Sequence, residues 1–187
     1  MSLILLQALL VMDNPSAALS VNLNQYEMLN CSVFVIYSPG WDSDMSSMLL
    51  LVHLLPPSSQ GRKRPGKISA RQACDSLVKF IKIGTSIQGH LDNISGILQP
   101  YLLAVDAKKS MIESYYIVID KHALPCKTST SLACVDELFE AHFVFGTRYC
   151  QELTNVYTFL QTTVYDIDVE NTKVNPRVAE LRARMLK

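Results

Sequence analysis

Five residues between positions 122 and 150 are of types that carry chemistry: His122, Cys126, Cys134, His142 and Cys150. Two chemistries use such a set. A structural zinc ion takes thiolates and imidazoles that usually come in closely spaced pairs, as in C-x2-C. Here only His122 and Cys126 are close, and each later gap is wide. On a helix, Cys134 and His142 fall on one face about two turns apart, too far to share one ion. The reading therefore assigns no metal ligand and no cofactor. The second chemistry is thiolate catalysis, with His122 as base for Cys126 or His142 as base for Cys150. No strained nucleophile turn and no Gly-rich oxyanion segment accompanies either pair, so the chain reads as a non-enzyme. Cys126 then becomes a strand residue, Cys134 a small buried thiol, and His142 a core-edge histidine with one hydrogen bond. The acid pairs Asp136/Glu137 and Asp166/Asp168 read as solvated helix faces or ends. Neither G-x-G-x-x-G nor G-x-x-x-x-G-K-[ST] occurs, so nucleotide binding through those loops has no support.

The elements that would hold these residues follow from pattern. Pro100–Val105 and Ser114–Asp120 are apolar strand candidates, and the unbroken Tyr115-Tyr116-Ile117-Val118-Ile119 suggests burial on both faces. A turn at Lys121-His122 would lead into a third strand, Ala123–Cys126; without Gly or Asn it is a poor tight hairpin turn. Ser69-x-x-Gln72 is a capping box, followed by Ala73, Leu77, Phe80 and Ile81 on one helical face and by Gly84 as a stop. Leu132, Val135, Leu138, Phe139 and His142 form a second stripe that Gly146 ends. A third runs through Leu153, Val156, Tyr157, Leu160 and Val164. Asn175-Pro176 opens a terminal helix with basic residues toward its C-terminal end. The expected fold class is α+β, with short antiparallel strands at about 99–105, 114–120 and 123–126. Helices at about 69–83, 130–145 and 151–165 pack on them, and a C-terminal helix spans about 176–186.

The chain has 187 residues, half of them apolar, enough for one ordinary domain and an extension. Formal net charge is zero, yet residues 1–60 contain Asp13, Glu27, Asp42 and Asp44 and no Lys or Arg, while all 17 basic residues follow. That shift divides the chain into an apolar N-terminal segment, 1–57, a basic linker, 58–67, and an α+β domain, 68–187. Leu3–Met12 reads as a short helix, Cys31–Tyr37 as a strand and Ser43–Leu55 as an apolar helix. Leu3–Met12 lacks the positive flank of a secretory signal, and no run reaches the roughly 20 residues of a membrane span. The odd, irregularly spaced cysteines fit a reducing, intracellular compartment, cytoplasmic or nuclear.

From about Leu49 onward the sequence resembles the C-terminal region of a group of fish proteins, some labelled sterile alpha motif domain-containing protein 3-like. The resemblance is carried by Leu54-Leu55-Pro56-Pro57, Lys79-Phe80-Ile81, His90-Leu91-Asp92, Gln99-Pro100-Tyr101-Leu102-Leu103, Tyr115-Tyr116-Ile117-Val118 and Leu124-Pro125-Cys126. It continues through Asp136–Phe145, Gln161–Tyr165 and Pro176-Arg177-Val178. It supplies no active site to carry over. The sterile alpha motif itself, a compact helical bundle, is not among these residues.

Two functions of different class remain. The leading expectation is a non-catalytic intracellular protein-interaction module, with the apolar N-terminal half and the terminal helix as partner surfaces. The alternative is a nuclear, nucleic-acid-associated protein that uses the basic cluster Arg62, Lys63, Arg64 and Lys67 with Arg71, either for phosphate contact or for an import receptor. No aromatic residue interleaves with that cluster, which weakens a single-strand stacking role. No small-molecule substrate is indicated.

Overall fold

The computed structural model describes residues 42–57, 68–94, 99–108 and 111–185. The expected helix at Leu3–Met12, the strand at Cys31–Tyr37 and the whole basic linker, 58–67, lie outside them. The chain is α+β: a four-stranded mixed sheet, packed by helices, with a helix at the C-terminal end.

The first helix, α1 (Ser43–Leu54), begins at Asp42, whose carboxylate accepts from the Met45 amide at 2.8 Å. It is apolar nearly all round, as a helix enclosed by protein must be. Met45, Met48, Leu49, Leu51, Val52 and Leu55 are buried in the main core, where α1 meets two later helices, α2 (Ala70–Leu77) and α4 (Ser131–Val144). Part of the segment expected to stand apart, 1–57, is thus integral to the domain.

Helix α2 starts at the capping box read from the sequence, with Ser69 Oγ accepting from the Gln72 amide and Gln72 Oε1 from the Ser69 amide. It is shorter than expected. The helix anticipated over 69–83 ends at Leu77, and Val78–Lys82 is strand β1, running parallel to β2 (Tyr101–Lys108). The reason is tertiary: β2 has an open edge, and Val78-Lys79-Phe80-Ile81 presents alternate residues to the two faces of the sheet. Pairing with β2 outweighs local helix propensity. The sheet is therefore mixed, not wholly antiparallel. A short helix, α3 (Ile87–Asp92), lies in the β1–β2 crossover.

Strand β2 pairs antiparallel with β3 (Met111–Ile119), and β3 with β4 (His122–Pro125), giving the order β1-β2-β3-β4. Alternation along the strands is clean. Leu102, Ala104, Tyr115, Ile117 and Ile119 enter the main core with α1, α2 and α4, whereas Tyr101, Leu103, Tyr116 and Val118 join Leu91 of α3 on the other side. Burial on both faces of β3 follows the unbroken apolar run. The β3–β4 turn falls at Asp120-Lys121, one residue before the expected position. Both turn residues take left-handed backbone angles, φ 46° and 65°. This is the primed geometry that matches strand twist, built without glycine.

After α4 the chain forms α5 (Thr154–Phe159), which passes into a π-helical turn over Leu160–Val164 in place of the uniform helix expected to 165. The Asn155 amide donates to Pro56 O at 2.6 Å, tying α5 to the end of α1. The terminal helix, α6 (Pro176–Met185), buries Val178 completely and leans Leu181 and Met185 on the core.

Lysine at a left-handed turn position carries a backbone cost that glycine escapes. Lys121→Gly is expected to raise stability by up to about 1 kcal/mol, read as a higher urea midpoint with unchanged slope.

Candidate functional site

The structure scatters most of the residues that could have done chemistry together. His122 is exposed at the β3–β4 turn, with Nδ1 2.9 Å from Asp120 O. Cys150 sits after α4, half-buried, its thiol pushed up to about 11 by burial. Only Cys126, after β4, and Cys134, on α4, lie close enough for each thiol to influence the other. Interaction with Cys134, together with burial, raises the Cys126 thiol, and the same interaction lowers that of Cys134. Thr128 adds a 3.5 Å contact to the Cys134 sulfur, which itself donates to Thr128 O. No group of three or more His, Cys, Asp or Glu side chains among the described residues is arranged to hold a metal ion.

The acid pairs do structural work. Tyr165 donates to Asp136, a contact across α4 that the reading of a solvated helix face missed. Glu137 accepts from the amides of Lys127 and Thr128 at 3.0–3.2 Å and so fixes the loop entering α4. Asp166 and Asp168 occupy left-handed turn positions, φ 55° and 50°. Of the basic cluster, Arg71 is exposed in the first turn of α2; Arg62, Lys63, Arg64 and Lys67 lie outside the described residues.

A polar constellation does form at the C-terminal end of α4. The helix stops where the sequence said, at Gly146 (φ 60°), in a Schellman arrangement: the Thr147 amide donates to His142 O at 2.9 Å and the Gly146 amide to Phe143 O at 3.2 Å. This folds Thr147, Arg148 and Tyr149 back beside His142. Facing them, the π-turn closes one extra residue per ring, Tyr165 N to Leu160 O, and presents Gln161, whose Oε1 accepts from Tyr149 OH at 3.0 Å. Together with Phe143 and Thr154 these residues line a cleft of about 390 Å³.

His142 is the most buried of the lining residues, 3% exposed. Its Nδ1 lies 2.9 Å from Leu138 O, so Nδ1 carries the proton and Nε2 the free lone pair. Nε2 has no hydrogen-bond partner among the described residues, and neither does the Thr147 hydroxyl or the Tyr157 OH. The imidazole packs on Tyr157 (4.5 Å between ring centres) and Tyr149 (5.3 Å). Burial lowers its pKa below the ordinary 6.5, partly offset by the bond to Leu138 O. At neutral pH the site is therefore an uncharged acceptor between aromatic walls. Burial also lifts Tyr149 to about 12 and Tyr157 well above its usual range, so neither phenol ionises near neutrality.

Sequence reasoning gave His142 one hydrogen bond, which it has, but missed the cleft. One signal was present. Phe143, Val144 and Phe145 are consecutive, and three adjacent helical positions cover too wide an arc for all of them to face one core. They are 50%, 76% and 52% exposed.

Comparisons with family models, with curated proteins and with solved structures gave no match to the chain.

Three histidines, the buried His142 and the partly buried His53 and His90, resist protonation in the fold, each chiefly through desolvation. The unfolded chain takes up these protons near pH 6.5, before the folded state does. Their contribution to stability is complete above that pH and is lost as pH falls through the lower folded values. The urea midpoint should fall between pH 7 and pH 5, and His142→Phe should flatten part of that slope. An unaltered slope in the variant contradicts the burial of His142 as a neutral acceptor.

Proposed function

We propose that the protein is a non-catalytic interaction module whose partner surface is the C-terminal end of α4. The observation that carries this reading is the run Phe143-Val144-Phe145: three large apolar side chains, each half or more exposed, beside the cleft of His142 and Thr147. Scattered exposed apolar residues are ordinary, but a contiguous group rimmed by polar residues marks a contact surface. Arg148 and Gln161 supply such a rim.

This places the surface differently from the sequence reading. The terminal helix turns its apolar side, Val178, Leu181 and Met185, into the core, and α1 is buried. Arg184 of α6 pairs with Glu180 at 2.6 Å. The apolar stripes once available for a partner are thus used by the fold itself. An intracellular setting accords with the free thiols of Cys74, Cys126, Cys134 and Cys150, and remains part of the proposal. The nucleic-acid reading, through Arg62, Lys63, Arg64 and Lys67 with Arg71, is the alternative; Arg71 is exposed in the first turn of α2.

Val144→Asp with Phe145→Asp adds two charges to exposed positions and should leave the fold intact, within about 0.5 kcal/mol. Proximity labelling in cells should show specific neighbours of the wild-type protein that the variant loses. An identical set of neighbours for both proteins, with equal stability, would overturn the assignment.

A further inference from the structure

Two cysteines from different elements are tied to one small region at the start of α4. Cys126 follows β4, and its amide donates to Tyr115 O on β3 at 2.9 Å. The hydroxyl of the same tyrosine lies 2.6 Å from Ser131 Oγ, in the first turn of α4. Cys134 stands one turn further along that side of the helix. Tyr115 thus holds both the segment that carries Cys126 and the turn that leads to Cys134. A second tie is more direct. The Cys134 sulfur lies 3.5 Å from Thr128 Oγ1 and donates to Thr128 O at 3.4 Å. Thr128 is two residues past Cys126, so their Cα atoms are at most about 7 Å apart. Cys126 also packs against the main core cluster, to which Cys134 belongs. A disulfide joins Cα atoms about 4.4–6.8 Å apart, a span that a segment tied down in this way brings within reach.

We infer that Cys126 and Cys134 form a reversible dithiol–disulfide pair, oxidised by a hydroperoxide, beneath the loop that leads into α4. The two sulfurs differ in access, which divides the steps between them. Cys134 is 0% exposed, whereas Cys126 is partly exposed and Lys127–Thr130 after it are exposed. The Cys126 sulfur therefore meets the peroxide. It loses its proton and attacks one peroxide oxygen; the O–O bond breaks, leaving a sulfenic acid on Cys126 and a first water. The Cys134 sulfur gives up its proton and attacks the Cys126 sulfur; the S–S bond forms, the S–O bond breaks, and a second water leaves. Two thiols have lost two electrons and two protons, and the peroxide has been reduced by two electrons. Cys134, lowered by its interactions with Cys126 and Thr128, is suited to the second step, and the raised Cys126 makes the first step the slow one. Oxidation ends the donation from Cys134 to Thr128 O, while the amide and hydroxyl of Thr128 remain on Glu137 at 3.2 Å each. The released Thr128 carbonyl is the local mark of the oxidised state. The pair stands apart from the exposed run at the other end of α4 and does not depend on the interaction reading.

The test uses the full chain, reduced and then treated with hydrogen peroxide. Remaining thiols are alkylated, and the protein is digested with trypsin and mapped by mass spectrometry. Trypsin cuts after Lys127, so a link between Cys126 and Cys134 joins two peptides and is read directly. We expect this link to form ahead of any that involves Cys31, Cys74 or Cys150, and to return to thiols in millimolar reduced glutathione. The amide shifts following Thr128 should move on oxidation and return on reduction. In Cys134→Ser, Cys126 should stop at the sulfenic acid and be trapped by dimedone; in Cys126→Ser, Cys134 should give no such adduct. Mapping of the wild-type protein needs no variant to fold. Peroxide that links other cysteines first overturns the inference, as does peroxide that carries Cys126 to the sulfinic acid without a link or leaves both thiols free at large excess. A link that glutathione fails to reduce, or that forms only in the unfolded chain, overturns it as well.

Discussion

The C-terminal half of the protein depends on a cluster of rings around two residues of α4. Phe139, 2% exposed, stacks on Tyr165 at 4.1 Å and 9° and lies within 6.4 Å of Phe143, Tyr149 and Tyr157. One turn further on, His142 adds its imidazole to the same group. These contacts join α4, the loop after Gly146, α5 and the π-turn into one unit. Each offset or tilted pair contributes about 0.5–1.5 kcal/mol beyond its buried area. The cluster also explains why a histidine is tolerated there. The ring packs as an aromatic, Nδ1 is satisfied by its own helix, and a single unpaired lone pair is what the core leaves over. A buried unsatisfied acceptor costs roughly 1–3 kcal/mol, a cost that a binding group or a water molecule relieves.

The other half is organised by the two-sided sheet. Because β2 and β3 are covered on both faces, their backbones form a stiff centre, and function is left to the edges and ends. At one edge β1 carries Lys79, whose ammonium lies 4.4 Å from the ring centre of Tyr101, while Tyr101 OH lies 3.1 Å from His90 Nε2. In that group the ammonium faces the ring and the phenol oxygen faces the imidazole. The end of α4 differs: His142 Nε2 and the Thr147 hydroxyl are buried there without a hydrogen-bond partner among the described residues. The functional reading falls on the second because the exposed run Phe143-Val144-Phe145 lies beside it.

Much of the fold was legible in the sequence because its signals are local. The capping box at Ser69, the run Tyr115–Ile119 and the stop at Gly146 each depend on neighbours within a few residues, and each stands where expected. What was not legible depends on partners far along the chain. Val78–Lys82 becomes a strand because Leu102–Asp106 offers an edge. The apolar all-round α1 makes sense only with α2 and α4 around it. Asp120-Lys121 adopts a primed turn because the strands on either side demand it. The cleft was least legible, since it needs Thr147 folded back by a Schellman cap and Gln161 shifted by a π-turn, neither of which periodicity reveals. The exposed Phe143-Val144-Phe145 was the one local trace of it.

The account rests on the protonation state of a single ring. The ¹⁵N shifts of His142, followed by long-range ¹H–¹⁵N NMR from pH 8 to pH 5, report that state directly. The structure requires the neutral Nδ1–H form at pH 7, with Nε2 showing the shift of an unprotonated ring nitrogen, and a titration midpoint below 6.5. A proton on Nε2 at pH 7, in either the neutral or the cationic form, would contradict the assignment of that nitrogen as a buried, unpaired acceptor.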